Sequence, residues 1–150
     1  MTATSAGRPG APLYTTEILA LAVELAEYPL TDAVAQSGEA ASRVCGSRVV
    51  IDAACAADGT IRRVGAQVAA CAIGQASATL FLRGAPGRSA GDLAAAIGDI
   101  ESWLAGADAR PAWPGLSILE PARSYPARHA AILLPWRAAL AALSKLPRAD

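Results

Sequence analysis

The chain has 150 residues, 53% of them apolar and 17% charged, a balance that fits one globular domain able to bury about 70% of its unfolded surface. Thirteen Lys and Arg offset thirteen Asp and Glu. No basic stripe stands out, so nucleic acid is excluded as the expected partner.

Met1 to Pro12, rich in Gly, Pro, Ala, Ser and Thr, reads as a flexible N-terminal tail, with residues 13–150 as a single domain. The tail lacks the apolar run of a signal peptide, so the expected compartment is the cytoplasm. There Cys45, Cys55 and Cys71 stay reduced, which favours a metal or sulfur role over a disulfide framework. The first helix is expected from Thr16 to Tyr28, where Ile18, Leu21, Ala22 and Leu25 recur at helical spacing and Pro29 blocks continuation. From Thr31 to Ala41 the pattern is weak, with Ser37 and Gly38 marking a turn and a short edge strand before it.

Asp58-Gly59 is the clearest local signal, a dipeptide suited to the two-residue type I′ turn of a β-hairpin. In the strand before it, Val49, Ile51, Ala53 and Cys55 share one face, and Arg48, Val50 and Asp52 share the other. Ile61 to Val68 forms the return strand. Val64 to Leu82 carries no charge and approaches the length of a membrane-crossing helix. Its Gln67, Gln75, Ser77 and Thr79, with Gly65, Gly74 and a change of periodicity, read instead as a buried strand feeding a buried helix, so no membrane is expected.

That helix opens near Cys71, with Ile73, Ala76, Ser77, Leu80 and Phe81 on one face and Gly84 at its end. Ser89 and Asp92 form a capping-box signature for the next helix, whose stripe is Leu93, Ile97, Ile100 and Leu104, closed by Gly106. Pro111, Pro114, Pro121 and Pro126 make the segment to Arg128 mostly loop and turn. Leu133 to Leu146 is the final helix, with Pro135 in its first turn. The class is α+β, an antiparallel three-stranded sheet covered by helices.

A two-residue turn at Asp58-Gly59 sets Cys45 opposite Ala72 and Cys71 opposite Gly46. The two thiols therefore converge, provided that bends at Gly46 and at the helix start turn them to one side. At a helix N-terminus Cys71 faces the positive end of the dipole, which favours the thiolate that binds metal or attacks sulfur. The alternative is a pair of small buried residues that happen to be cysteine. Cys55 lies ten positions from Cys45 along the same strand, roughly 33 Å at about 3.3 Å per residue, and is assigned to packing.

Three segments resemble the U-type scaffold family that includes IscU, SufU and the N-terminal part of NifU. Cys45-Gly46-Ser47 resembles the family's Cys-Gly-Asp. Ala70-Cys71-Ala72-Ile73-Gly74-Gln75-Ala76-Ser77-Ala78-Thr79 resembles its Gly-Cys-x-Ile-Ser-x-Ala-Ser-Ala-Ser helix opening. Tyr125-Pro126-Ala127-Arg128, followed by Leu134, Trp136 and Leu140, is similar to the SufU-type ending, and Leu13-Tyr14 with Ile18 resembles the family's first helix. The resemblance implies iron-sulfur cluster assembly rather than turnover catalysis, with a cysteine desulfurase or another assembly protein as partner. It also implies an iron-sulfur cluster, iron or zinc bound by three cysteines and an aspartate.

The ligand set departs from that pattern. Ser47 stands where the family has aspartate, Ala131 where it has its third cysteine, and Leu21 where a histidine is usual. Cys45 and Cys71 remain the expected metal- or sulfur-binding pair. His129 is a candidate replacement ligand, Ser47 a weak one, and Arg128 a candidate for partner docking or sulfur transfer. Three readings stay open: an assembly protein using both thiols, a divergent metal-free relative that binds or regulates the assembly machinery, and a small thiol-redox protein cycling a Cys45–Cys71 pair.

Overall fold

The computed structural model describes residues 13–31 and 36–145. The N-terminal tail therefore lies outside the described residues, as does the expected end of the last helix at Leu146. Among the described residues, four α-helices and three strands follow in the order α1 (Thr16–Glu24), β1 (Gln36–Ala41), β2 (Arg48–Cys55), β3 (Ile61–Ala69), α2 (Ala72–Gly84), α3 (Ala90–Leu104) and α4 (His129–Leu143). The strands form one antiparallel sheet in the order β1-β2-β3, so the α+β expectation holds.

Thr15 starts α1 by accepting from the Ile18 amide at 3.1 Å. The α-helix stops at Glu24, four residues short of Tyr28, because Leu25–Glu27 tighten into a 3-10 turn before Pro29. Ser37 and Gly38 do not make a turn. They sit inside β1, paired with Asp52 and Ile51. Gly38 is there for space: a Cβ on it would lie 2.2 Å from the Ala138 carbonyl oxygen and 2.4 Å from the Ala142 amide, since α4 rests directly on the strand.

The hairpin also differs in detail. Gly59 has φ 89°, but no non-glycine among the described residues has positive φ, so Asp58 is not in a type I′ turn. The Gly59 amide donates to Ala56 and the Ala56 amide to Thr60, at 2.9 and 2.8 Å, closing a three-residue loop. Cys55 then pairs with Ile61, and an irregularity between Ala54 and Cys55 returns the ladder to Ala54↔Arg63 and on to Arg48↔Ala69. Most of the expected register survives because the extra loop residue and the bulge cancel.

Val64 to Ala69 completes β3 and Ala72 opens α2, as the charge-free stretch predicts. No helix among the described residues is long and apolar enough to cross a membrane. Ser89 and Asp92 form the full capping box at α3, a device worth about 1 kcal/mol. The proline-rich segment is more ordered than expected, with 3-10 turns at Leu116–Ser124 and Pro126–Arg128. The last helix begins at His129, so Pro135 lies inside it rather than in its first turn. Proline disturbs the carbonyls one turn back, and the buried Ser77 hydroxyl donates to one of them, Ile132, at 2.7 Å.

The core lies between sheet and helices. Phe81, Trp113 and Trp136 form its aromatic centre, with ring centroids 5.3 to 5.6 Å apart. The buried Thr79 hydroxyl ties α2 to α1 by donating to Leu21 at 2.7 Å, and the Trp113 indole donates to Leu80 at 2.9 Å.

Candidate functional site

Arg48 and Ala69 are the last paired residues at the open end of the hairpin. Cys45 lies just before Arg48 and Cys71 just after Ala69, so both cysteines leave the sheet at this end. The bend comes at Gly46, whose φ is 70°. Its amide donates to Ser42 at 2.9 Å, while the Ser42 amide donates to Ser47 at the same distance, which fixes a tight β1–β2 loop. The Ser42 hydroxyl accepts from the Val44 amide at 3.3 Å, leaving Val44 at the tip, 74% exposed.

Within this loop the Cys45 thiol donates to the Ser47 hydroxyl at 3.0 Å. Ser47 is buried, with 3% of its surface exposed. The Ser47 hydroxyl, which turns to donate to the sulfur once the thiol ionises, is the main cause holding the thiol below its ordinary pKa, with the Ser42 hydroxyl and nearby backbone adding to it and partial burial opposing it. Cys71 occupies the N-cap of α2 with extended φ and ψ of −67° and 172°. Its side chain makes no capping bond, while its carbonyl accepts from the Gln75 amide at 2.9 Å. Gln75 reaches back to the Ala70 carbonyl at 2.9 Å and braces the strand-to-helix junction. Cys71 is half-buried against the core.

The start of α4 reaches the same end of the molecule. Near its other end Lys145 donates to the Ser37 carbonyl at 2.7 Å and Ala138 and Ala142 lie over Gly38, so α4 runs antiparallel to β1. Ala131, in its first turn, is fully buried, and its methyl lies 3.5 Å from where a Cβ on Gly74 would stand. The residue expected at the third-cysteine position therefore packs against the first turn of α2, a few residues from Cys71, and brings no donor. Leu21 points into the core. The Nε2 of His129 lies 3.1 Å from the Ala122 carbonyl and 3.0 Å from that of Arg123, which tethers the preceding 3-10 segment to α4 and leaves only Nδ1 for another partner. Arg128 sits half-exposed just before that helix.

Two sulfurs thus stand at one end of the fold. Among the described residues no three His, Cys, Asp or Glu side chains come close enough to hold a metal ion. Cys55 lies at the far end of β2, and burial raises its thiol pKa. Sequence reasoning missed Ser42, although a serine two residues before Val44 is the signal of a hydroxyl-stabilised turn.

No family model and no curated protein matches the chain. Solved structures do. The chain resembles the N-terminal part of a nitrogen-fixing NifU-like protein from Brucella abortus at 30% identity and a TM-score of 0.76, covering 88% of this chain and 92% of that one. It shares a fold, at 22% identity and a TM-score of 0.77, with a candidate iron-sulfur cluster assembly scaffold for the SUF system from Fervidobacterium islandicum AW-1, covering 87% and 96%. A hypothetical protein shares the fold at 17% identity and a TM-score of 0.64, covering 85% and 97%. With that identity to the Brucella protein across nearly the whole of both chains, this chain belongs to the NifU-like N-terminal, U-type scaffold family.

Proposed function

We propose that this chain is an iron-sulfur cluster assembly protein whose working groups are the thiols of Cys45 and Cys71, with sulfur and iron as cargo and a cysteine desulfurase as sulfur donor. The observation that carries this reading is the shared placement of the two sulfurs, one on the β1–β2 loop and one at the N-cap of α2, at the same end of the hairpin. The Ser47 hydroxyl beside Cys45 adds to it by donating to the thiolate once it forms. In sulfur acceptance the Cys45 thiolate attacks the outer sulfur of the donor's persulfide. A new sulfur–sulfur bond forms on Cys45, the donor's sulfur–sulfur bond breaks, and the donor leaves as its thiolate, with no external oxidant. Arg128, half-exposed near the site, is assigned to docking that partner, and zinc is the alternative metal.

Two measurements test the reading. Incubation with a cysteine desulfurase and cysteine should add the mass of sulfur to Cys45 or Cys71, and anaerobic reconstitution with ferrous iron and sulfide should give thiolate-to-iron absorbance. Loss of both signals in Cys45→Ser/Cys71→Ser is expected. Neither signal in the wild type would sink the proposal.

Ala131 favours a second reading, a metal-free relative that binds or regulates the assembly machinery, because a buried methyl occupies the position of a third thiol. On that reading Cys45→Ser/Cys71→Ser binds its partner as tightly as the wild type.

A further inference from the structure

We infer that the edge of β3 at Val64 is a docking site for the C-terminal end of a partner protein, taking an apolar last residue together with its free carboxylate. The inference is independent of the roles proposed for Cys45 and Cys71, which lie at the opposite end of the hairpin.

β3 is an edge strand, and the chain closes that edge almost completely. At its start Ile61 donates to the Arg88 carbonyl at 2.8 Å and accepts from the Gly87 amide at 2.7 Å. Further along, Ala66 donates to the Tyr28 carbonyl at 2.9 Å. A residue whose amide bonds outward belongs to a pair that does not bond across the ladder, and such pairs alternate, so Val64 also turns its N–H and C=O away from β2. Among the described residues these two groups have no partner. A gap one residue long is left between two closed stretches.

The gap opens into a cavity of about 380 Å³. Pro29, Leu30, Leu82 and Pro86 give it apolar walls, and Leu30 is left 40% exposed there. Arg62 and Arg63 line its charged side, both exposed and neither in an ion pair among the described residues, against the single carboxylate of Glu27. The lining therefore favours an anion with an apolar body.

A peptide residue laid antiparallel against Val64 exchanges both backbone bonds with it. Its N–H donates to the Val64 carbonyl, and its own carbonyl end accepts from the Val64 amide. The antiparallel direction carries that end toward the start of β3, beside Arg63 and Arg62. There the Ile61–Arg88 pairing occupies the edge, so a chain that stops fits and a strand that runs on does not. A terminal carboxylate takes the Val64 amide with one oxygen and a guanidinium with the other, a charge-assisted bond. Cross-strand neighbours share a face, so the last side chain follows that of Val64 into the apolar part of the cavity.

Titration of isotope-labelled full-length protein with acetyl-Ala-Val-Leu bearing a free carboxylate, followed by NMR, tests this. Saturable movement of the Val64, Arg63 and Leu30 amide signals is expected, with those of Cys45 and Cys71 unmoved. Converting the peptide to its C-terminal amide, or Arg62→Gln/Arg63→Gln in the protein, should each weaken binding roughly tenfold or more, as loss of a charge-assisted bond implies. Leu30→Glu, which sets a carboxylate in the apolar wall, should abolish binding, with circular dichroism reporting that it folds. Equal affinity for the amide, or for a peptide amide whose only carboxylate is an internal glutamate, overturns the inference. So does the absence of movement at Val64 with millimolar peptide. Concentration-dependent movement of the same signals without peptide, with a dimer in native mass spectrometry, would give the edge to a second copy and overturn it too. Sulfur transfer and iron reconstitution read the thiols alone, so their outcome and this one are distinguishable.

Discussion

The Cys45 thiol donates to the Ser47 hydroxyl across 3.0 Å, within a loop that buries the serine and leaves the cysteine partly open. A serine in place of a carboxylate therefore acts on the sulfur beside it. Ser47→Ala removes the main group that lowers the Cys45 pKa, so the thiolate fraction near neutral pH falls. Alkylation of Cys45 at pH 7 should slow roughly two- to fivefold, the worth of one neutral hydrogen bond. The sign for stability follows. Because folding lowers this pKa, wild type should gain stability over Ser47→Ala as pH rises to the ordinary thiol value, and lose that gain as pH falls through the depressed value. Equal alkylation rates in the two proteins would remove the role given to Ser47.

Ala131 and Gly74 make the clearest engineering test. The methyl of Ala131 lies 3.5 Å from where a Gly74 Cβ would be, so Ala131→Cys sets a third thiol beside the α2 N-terminus. In anaerobic reconstitution with ferrous iron and sulfide, the thiolate-to-iron absorbance at limiting iron should then rise, because a third sulfur can join the two native thiols. The added sulfur enters a fully buried position and should cost about 1 to 3 kcal/mol, read by urea denaturation. Unchanged absorbance would mean that residue 131 does not face the two native thiols.

Much of this site was legible in the sequence because its determinants are local. Gly46 supplies a bend, Cys71 opens a helix, and the Asp58-Gly59 corner brings the strand ends together. Its finer structure was not. The three-residue loop and the bulge before Cys55 depend on how the ladder settles against the core, and neither leaves a local mark. Gly38 misled for a related reason. In isolation Ser37-Gly38 reads as a turn, and the cause of the glycine is α4, a hundred residues away along the chain.

Gly38→Ala should accordingly be among the most damaging single-methyl changes. The new Cβ would stand 2.2 Å from the Ala138 carbonyl oxygen and 2.4 Å from the Ala142 amide, both backbone atoms that no rotamer change can move. Destabilisation of about 3 kcal/mol or more is expected, as a lower urea midpoint at constant slope. A neutral outcome would mean that α4 does not rest on β1.

His129 separates a structural role from a ligand role. Its Nε2 bridges the carbonyls of Ala122 and Arg123, so His129→Ala should lower stability by about 1 kcal/mol and loosen the 3-10 segment before α4. The thiolate-to-iron absorbance of the reconstituted protein should not change. A shift of that absorbance in His129→Ala would instead make Nδ1 a metal donor.

Cys45 and Cys55 should differ in reactivity although both are free thiols. The Ser47 hydroxyl stabilises the Cys45 thiolate, whereas burial disfavours that of Cys55 and raises its pKa. With limiting iodoacetamide near neutral pH, Cys45 should be modified first and Cys55 should lag, as followed by peptide mass analysis. Raising the pH past the ordinary thiol value should narrow the gap, because Cys45 is by then already ionised while Cys55 is still gaining thiolate. Cys55 reacting as fast as Cys45 at neutral pH would mean that β2 does not shield its sulfur, and the distinction between a packing cysteine and a working one would fail.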